Sequence, residues 1–127
     1  MEKIVPKIEG VAKPPSPFSH VVRAGDLIFL TSQLSGDLGT GRIIRGTVAE
    51  QTRRALDNVK FLLESSGSSM DKVVKVAVYM RDVGRFREMD DVYRGYFREG
   101  EEPARVTVQA PSPIEGVDVE IEATAVA

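Results

Sequence analysis

The order in which strand-like and helix-like segments follow one another is the feature of this chain that most limits its fold. Alternating or β-branched runs are typical of strands, and apolar residues that recur every three to four positions are typical of helices. The strand-like segments are 1–8, 18–23, 26–32, 72–80, 105–109 and 117–125. With two helices between them, the order is β-β-β-α-β-α-β-β. Because two helices cannot cover both faces of such a sheet, we expect an α+β domain of two layers, with both helices on one face of a mixed, mostly antiparallel six-stranded sheet.

Both predicted helices have recognisable ends. Thr47 and Glu50 fit a capping box at the start of the first helix, which Gly67 ends. The second helix is predicted over 83–98, before Gly100. Its aromatic and apolar stripe, which is expected in the core, consists of Phe86, Met89, Tyr93, Tyr96 and Phe97.

The strand between the two helices alternates, and this predicts which residues share a face. One face should carry Val74, Val76 and Val78, and the other should carry Val73, Lys75, Ala77 and Tyr79. The sheet face without helices is expected to be partly apolar. Such a face needs a cover, which favours a homo-oligomer whose sheets meet.

Size and composition exclude several classes of protein. A chain of 127 residues predicts one domain, 1–127, and a net charge of −2 gives no general attraction to nucleic acid or to an anionic membrane. The absence of cysteine excludes disulfides, thiolate metal sites and a cysteine nucleophile, and we expect neither a metal nor a cofactor. The single histidine, His20, is expected to have no chemical role. Without a membrane-spanning run or a signal-peptide pattern, the protein is expected to be cytoplasmic.

Arg105 is the residue that most suggests chemistry. It opens a β-branched strand, and fifteen residues later another strand carries Glu120 and Glu122 at alternate positions. A guanidinium fixed on a strand matches the two oxygens of a carboxylate ligand, and a glutamate on a neighbouring strand could hold or activate a water. The alternative is a structural ion pair between Arg105 and a glutamate.

An ordered set of short motifs adds a family resemblance that covers nearly the whole chain. The motifs are Pro17-Phe18-Ser19, Phe29-Leu30-Thr31-Ser32-Gln33, Gln51, Ala55-Leu56-Asp57-Asn58-Val59, Gly67, Val74-Lys75-Val76, Tyr93, Tyr96-Phe97, Pro103-Ala104-Arg105 and Val119-Glu120-Ile121-Glu122-Ala123. In this order and at these spacings, the chain closely resembles the reactive-intermediate deaminase family, also called Rid or YjgF.

The resemblance implies a chorismate-mutase-like fold and a homotrimer with clefts between its subunits. It implies that Arg105 binds a substrate carboxylate and that Glu120 positions the attacking water. The implied substrates are 2-imino acids released as enamines by pyridoxal-phosphate enzymes, and the products are a 2-keto acid and ammonia. An imine is already electrophilic, so orientation and a placed water suffice, with the backbone of Thr107 bonding the imine nitrogen. Glu122 is expected at the surface or in a salt bridge.

Three positions depart from the family pattern. Phe18 stands where the family often has tyrosine, Ser32 is followed by Gln33 without the usual intervening glycine, and Asp90 stands where many members have asparagine. Phe18 could still form a pocket wall, and Asp90 would alter the polarity at the pocket rim. Ser32 is either a ligand contact or a satisfied serine at a strand end.

Two other functions remain as alternatives to catalysis on imines. One is a non-catalytic protein of the same fold that binds a 2-keto acid or another carboxylate. The other is the ribonuclease activity attributed to the wider family, which the acidic composition and the single histidine do not favour.

Overall fold

One six-stranded sheet carries both α-helices on a single face. The computed structural model describes all 127 residues. The strands are β1 (Lys3–Ile4), β2 (Val21–Ala24), β3 (Leu27–Leu30), β4 (Val73–Met80), β5 (Ala104–Gln109) and β6 (Val119–Val126), and the helices are α1 (Val48–Ser65) and α2 (Phe86–Tyr93). The spatial order of the strands is β1-β2-β3-β6-β4-β5, and only the β4–β5 pair is parallel. The predicted two-layer α+β architecture is confirmed. Neither helix combines the length and the apolar character needed to cross a bilayer.

Helix α1 begins and ends at the residues that the sequence predicts. The backbone N–H of Glu50 donates to Thr47 Oγ1 at 3.1 Å, and the N–H of Thr47 donates to Glu50 Oε1 at 2.8 Å, which is a complete capping box. Gly67 follows the helix with φ of +85°, a conformation that glycine adopts without a steric penalty. The core stripe of the helix, Ala55, Leu56, Val59, Leu62 and Leu63, is fully buried.

Helix α2 is shorter than predicted. Single turns of 3-10 helix, Val83–Arg85 and Arg94–Tyr96, occupy the two ends of the segment. The Asp82 carboxylate accepts a hydrogen bond from the Gly84 N–H at 2.8 Å and fixes the tighter first turn. Met89 and Tyr93 are buried as predicted, but the prediction of a core position for Phe86 is wrong, because this residue is 37% exposed.

A β-bulge in β4 reverses two face assignments. Val73 pairs with Ala125 and Lys75 pairs with Thr124, so Val74 is the extra residue between them. Val73 therefore points into the core with Val76 and is buried, whereas Val74 is 46% exposed. The predicted faces of Val73 and Val74 are wrong, since simple alternation does not hold across a bulge.

The pairing registers define the two faces of the sheet. The helix face carries the apolar core of the sheet together with Arg105 and Thr107. The other face, which we call the open face, consists of Val22, Ala24, Leu27, Phe29, Lys75, Ala77, Tyr79, Ala104, Val106, Val108, Glu120, Glu122, Thr124 and Val126. Phe29, Val106 and Val108 on this face are more than 40% exposed. The expectation that the uncovered face is partly apolar is confirmed.

Candidate functional site

Arg105 lies on β5, at one edge of the sheet, and its side chain is directed toward α2. Its Nη1 donates to Asp90 Oδ1 at 2.8 Å. Its guanidinium carbon lies 4.6 Å from the ring centre of Tyr93 and 5.4 Å from that of Phe86, which are cation–π distances. The alternative of an Arg105–glutamate ion pair is wrong, because the anionic partner is an aspartate on α2.

Asp90 is shared between two arginines. While Oδ1 accepts from Arg105, Oδ2 accepts from Arg94 Nη2, also at 2.8 Å. The hydrogen bond from Arg105 is the main reason why the pKa of Asp90 is lowered. The Arg105 side chain is still 24% exposed, and its Nη2 and Nε have no hydrogen-bond partner within the chain. Part of the guanidinium fork therefore remains available to a ligand.

The buried ring of Tyr93 packs against the guanidinium of Arg105. The residue is 5% exposed, and burial raises the pKa of its hydroxyl to about 12. The hydroxyl oxygen is buried without a hydrogen-bond partner. The sequence assigns Tyr93 to the core, and its contact with Arg105 is not visible there, because it depends on how α2 lies across β5.

Glu120 lies on the open face of β6 and lines a cavity of about 270 Å³. Ser32 Oγ donates to Glu120 Oε1 at 2.8 Å, so Ser32 is a partner of the candidate base. The cavity is lined by Ser32, Tyr79, Ala110, Pro111, Ser112, Pro113, Asp118, Val119, Glu120 and Glu122. None of these residues is basic, and of the three carboxylates Asp118 is paired with Arg81 while Glu120 and Glu122 have no cationic partner, so the cavity favours a cationic group over an anionic one.

Glu122 accepts a hydrogen bond from the hydroxyl of Tyr79. This contact is the main reason why the pKa of Tyr79 is raised. The expectation that Glu122 lies at the surface or in a salt bridge is corrected, since it is half-buried and has a tyrosine as its partner. Tyr79 is a cavity residue that the sequence does not single out, although alternation along β4 places it on the open face.

A buried glutamine fixes the loop that forms the wall of this cavity, residues 110–118. Gln51 is 1% exposed; its Nε2 donates to Gly116 O at 3.2 Å and to Asp118 Oδ2 at 3.1 Å, and its Oε1 accepts from Asp118 N at 2.8 Å. Arg81 Nε lies 3.3 Å from Asp118 Oδ1 on the other side. The wall next to Glu120 is thus fastened to α1 and to the end of β4.

Arg105 and Glu120 do not meet within one chain. Strand β4 separates β5 from β6, and the two side chains lie on opposite faces of the sheet. Arg105 is paired with Val76 and Glu120 with Tyr79, three residues further along β4. At about 4.8 Å per strand and about 3.3 Å per residue, their Cα atoms are roughly 14 Å apart. The prediction that the glutamate lies on a strand next to Arg105 is wrong.

The free edge of β5 presents backbone groups as well as a side chain. Ala110 N donates to Met80 O at 2.8 Å, so the backbone groups of Ala110 face β4. Because these groups alternate along a strand, the N–H and C=O of Thr107 and Arg105 face the open edge, where no strand of this chain pairs with them. Thr107 can therefore offer a backbone donor beside Arg105.

Phe18 and His20 form a small cluster at the start of β2. Phe18 is 48% exposed, and its ring meets that of His20 edge-on at 6.1 Å. His20 Nδ1 lies 3.1 Å from Gln33 Nε2, and burial lowers the pKa of the imidazole. Since the amide can only donate here, the facing ring nitrogen is unprotonated. Phe18 contacts neither Arg105 nor Glu120 through any hydrogen bond or ring contact of this chain.

Comparisons with known proteins agree with this architecture. A family model described as Endoribonuclease L-PSP matches residues 10–127. A RutC family protein of Pyrococcus horikoshii is 41% identical over 117 residues, which is 92% of each chain. A 2-iminobutanoate/2-iminopropanoate deaminase of Bos taurus is 36% identical over 129 residues, covering 99% of this chain and 93% of the bovine protein. The crystal structure of RidA from an Antarctic Psychrobacter species superposes with a TM-score of 0.87 at 26% identity, covering 98% of this chain and 99% of that chain.

Proposed function

Because this chain belongs to the Endoribonuclease L-PSP family, which is the Rid or YjgF family, we propose that it hydrolyses 2-imino acids to 2-keto acids and ammonia. The observation that carries this proposal is the separation of charge in the candidate site. Two carboxylates of the cavity, Glu120 and Glu122, have no cationic partner in the chain, whereas Arg105 offers a cation at a free edge. A 2-imino acid has the matching pair of charges, a protonated imine next to a carboxylate.

We further propose that the complete site forms between two copies of the chain in a homotrimer. Within one chain, β4 and the thickness of the sheet keep Arg105 from Glu120. The free edge of β5 and the exposed apolar residues of the open face, Phe29, Val106 and Val108, support an assembly that brings these surfaces together. Arg105 and Thr107 of one copy would then bind the substrate that the Glu120 cavity of a neighbour receives.

The proposed reaction needs only groups that the chain supplies, and water. Arg105 binds the substrate carboxylate through its free donors, and the backbone N–H or C=O groups at Thr107 orient the imine end. Glu120, oriented by Ser32, accepts a proton from water while the water oxygen bonds to the imine carbon. Glu120 then delivers this proton to the nitrogen; as the C–N bond breaks, the hydroxyl oxygen forms the C=O bond and gives its proton to Glu120 or to water, and ammonia and the 2-keto acid leave.

A coupled assay tests this proposal. A dehydratase generates the imine, and the release of keto acid above the spontaneous rate is compared between wild type and the variants Arg105→Ala and Glu120→Ala. We expect each variant to lose about 100-fold or more in catalysed rate. Arg87→Ala and Glu99→Ala are matched controls, since both residues are exposed and form no ion pair in the chain, and both should keep full activity. If the Arg105 and Glu120 variants are as fast as wild type, the proposal is wrong.

Non-catalytic binding of a 2-keto acid is the second candidate function. The Arg105–Asp90 pair favours this function, because a guanidinium that already shares its charge with Asp90 can still bind a carboxylate through its free donors without catalysing a reaction. A binding protein would show no rate above the spontaneous one, and Arg105→Ala would abolish its binding of 2-oxobutanoate. The ribonuclease activity that the family description names is less well supported, since three carboxylates and no basic residue in the cavity disfavour RNA phosphates.

A further inference from the structure

We propose that Asp90 restricts this site to ligands with a single carboxylate and excludes those with a second anionic group. The inference rests on the proposed function, because it takes Arg105 as the group that binds the ligand carboxylate. It concerns Asp90, a negatively charged residue that is paired with the arginine proposed to bind the ligand.

The contacts of Asp90 determine where a ligand can bind on Arg105. Asp90 Oδ1 occupies Nη1 of the guanidinium at 2.8 Å, and Nη2 and Nε have no partner in the chain. A ligand carboxylate must use these free donors, so it is held by the same guanidinium as Asp90. Both side chains of the pair are only 20–24% exposed, and solvent therefore screens the repulsion between the two carboxylates weakly.

The net charge of Arg94, Arg105 and Asp90 then determines how many anionic groups a ligand of this site can carry. Arg94 and Arg105 contribute two positive charges and Asp90 one negative charge, which leaves one positive charge. One ligand carboxylate neutralises it. A second anionic group on the ligand gains little from Arg94, which is paired with Asp90 and 69% exposed so that solvent screens its charge, and it is repelled by the less exposed Asp90.

Arg94 keeps Asp90 in place while the ligand binds. It holds Oδ2 at 2.8 Å, so Asp90 is fixed from both sides and does not swing away from Arg105. Arg94 is itself 69% exposed, which makes its removal well tolerated by the core. A glutamine at position 94 keeps an N–H donor for Asp90 Oδ2 but removes one of the two positive charges of the cluster, so Asp90→Asn and Arg94→Gln should change selectivity in opposite directions.

Calorimetric titration of the assembled protein with 2-oxobutanoate and with 2-oxoglutarate tests the proposal. Wild type should bind the monocarboxylate more tightly. In Asp90→Asn, the ratio of the two Kd values should shift toward the dicarboxylate by about tenfold, equivalent to about 1.4 kcal/mol. In Arg94→Gln, the ratio of the two Kd values should shift toward the monocarboxylate. Asp91→Asn, at an exposed neighbour without an ion pair, should leave the ratio unchanged.

Several outcomes would overturn the proposal. They are a ratio in Asp90→Asn within twofold of wild type, the same shift in Asp91→Asn, a shift of the same sign in Arg94→Gln, or binding of neither keto acid by any of these proteins. Thermal unfolding of each variant shows whether it is folded, and Arg94→Gln still tests the sign if Asp90→Asn is not. Because the titration needs no turnover, absence of imine hydrolysis with the expected selectivity would refute the proposed reaction and leave the role of Asp90 standing.

Discussion

At the scale of single residues, the two charged groups of the candidate site, Arg105 and Glu120, each already have one partner inside their own chain. Asp90 fixes Arg105 and Ser32 fixes Glu120, both at 2.8 Å. Residues held in this way are oriented before a ligand arrives, which lowers the entropic cost of binding and of reaction. The sequence identifies both groups because a lone arginine and alternating glutamates on strands are visible locally. It does not identify their partners, since Asp90 is fifteen residues from Arg105 and Ser32 is 88 residues from Glu120.

The contact between Ser32 and Glu120 leads to a first prediction. In Ser32→Ala, Glu120 loses the hydroxyl that orients it, and we expect kcat for imine hydrolysis to fall by about three- to tenfold, the equivalent of about 1 kcal/mol for one hydrogen bond. KM should change less, since the carboxylate of the substrate is bound elsewhere. Initial rates over a range of substrate concentrations separate the two constants. Ser16→Ala, at an exposed serine, is the control, and an equal effect of both changes would contradict the role of Ser32.

The environment of His20 gives a prediction about pH. Burial lowers the pKa of its imidazole below the usual value of about 6.5, so the unfolded chain takes up a proton at higher pH than the folded chain does. The contribution of His20 to stability is therefore complete above pH 6.5 and is lost as pH falls toward its lower pKa in the folded protein. His20 is the only side chain whose ordinary pKa lies between about 5 and 7, because the chain has one histidine.

Urea unfolding at pH 7.5, 6.0 and 5.0, at constant protein concentration, measures this effect. We expect the free energy of unfolding of wild type to decrease between the first and the last pH. In His20→Gln, this decrease should be smaller, since glutamine does not titrate and can still accept the hydrogen bond from Gln33. A decrease of equal size in the variant would assign the pH dependence to other groups.

At the scale of elements, local pattern determines which segments form, and long-range pairing determines what they bring together. The capping box at Thr47 and the apolar period of α1 predict that helix closely. The β4 bulge is not readable from the sequence, because it arises where Val73 and Lys75 pair with adjacent residues of β6. The insertion of β6 between β3 and β4 is likewise a property of the assembled sheet. It is this insertion that places Arg105 two strands from Glu120.

The contribution of the capping box at the start of α1 to stability can be tested directly. Thr47→Ala removes the hydroxyl that accepts the N–H of Glu50, and we expect the free energy of unfolding to fall by about 1 kcal/mol. Thr47→Ser keeps an oxygen at the same place and should be close to wild type. Chemical unfolding followed by circular dichroism compares the three proteins. Equal losses in the alanine and serine variants would show that the threonine methyl group, rather than the cap, carries the effect.

At the scale of the whole molecule, the two faces of the sheet have different roles. The helix face supplies the core and directs Arg105 toward α2, whereas the open face carries the Glu120 cavity among exposed apolar side chains. A catalytic site that uses both faces cannot close within one chain. The activity we propose is therefore a property of the assembly, and dissociating the subunits should abolish it even where each subunit stays folded.

Mixing two inactive variants tests this dependence without disrupting any surface. If Arg105 comes from one copy and Glu120 from its neighbour, an interface between an Arg105→Ala subunit and a Glu120→Ala subunit can contain both intact residues. When equal amounts of the two variants are unfolded together and reassembled at random, roughly a quarter of the interfaces should be intact. Imine hydrolysis should thus recover to about a quarter of the wild-type rate, whereas each variant reassembled alone stays inactive.

The same mixture distinguishes a shared site from a site within one chain. If both residues acted in a single chain, every subunit in the mixture would lack one of them, and no activity would return. Wild type taken through the same procedure gives the reference for the yield of reassembly, and a double variant, Arg105→Ala with Glu120→Ala, mixed with wild type supplies a second check. Random assembly then leaves wild-type neighbours at only about a quarter of interfaces, so the rate should fall to roughly a quarter for a shared site but to about half for sites within single chains.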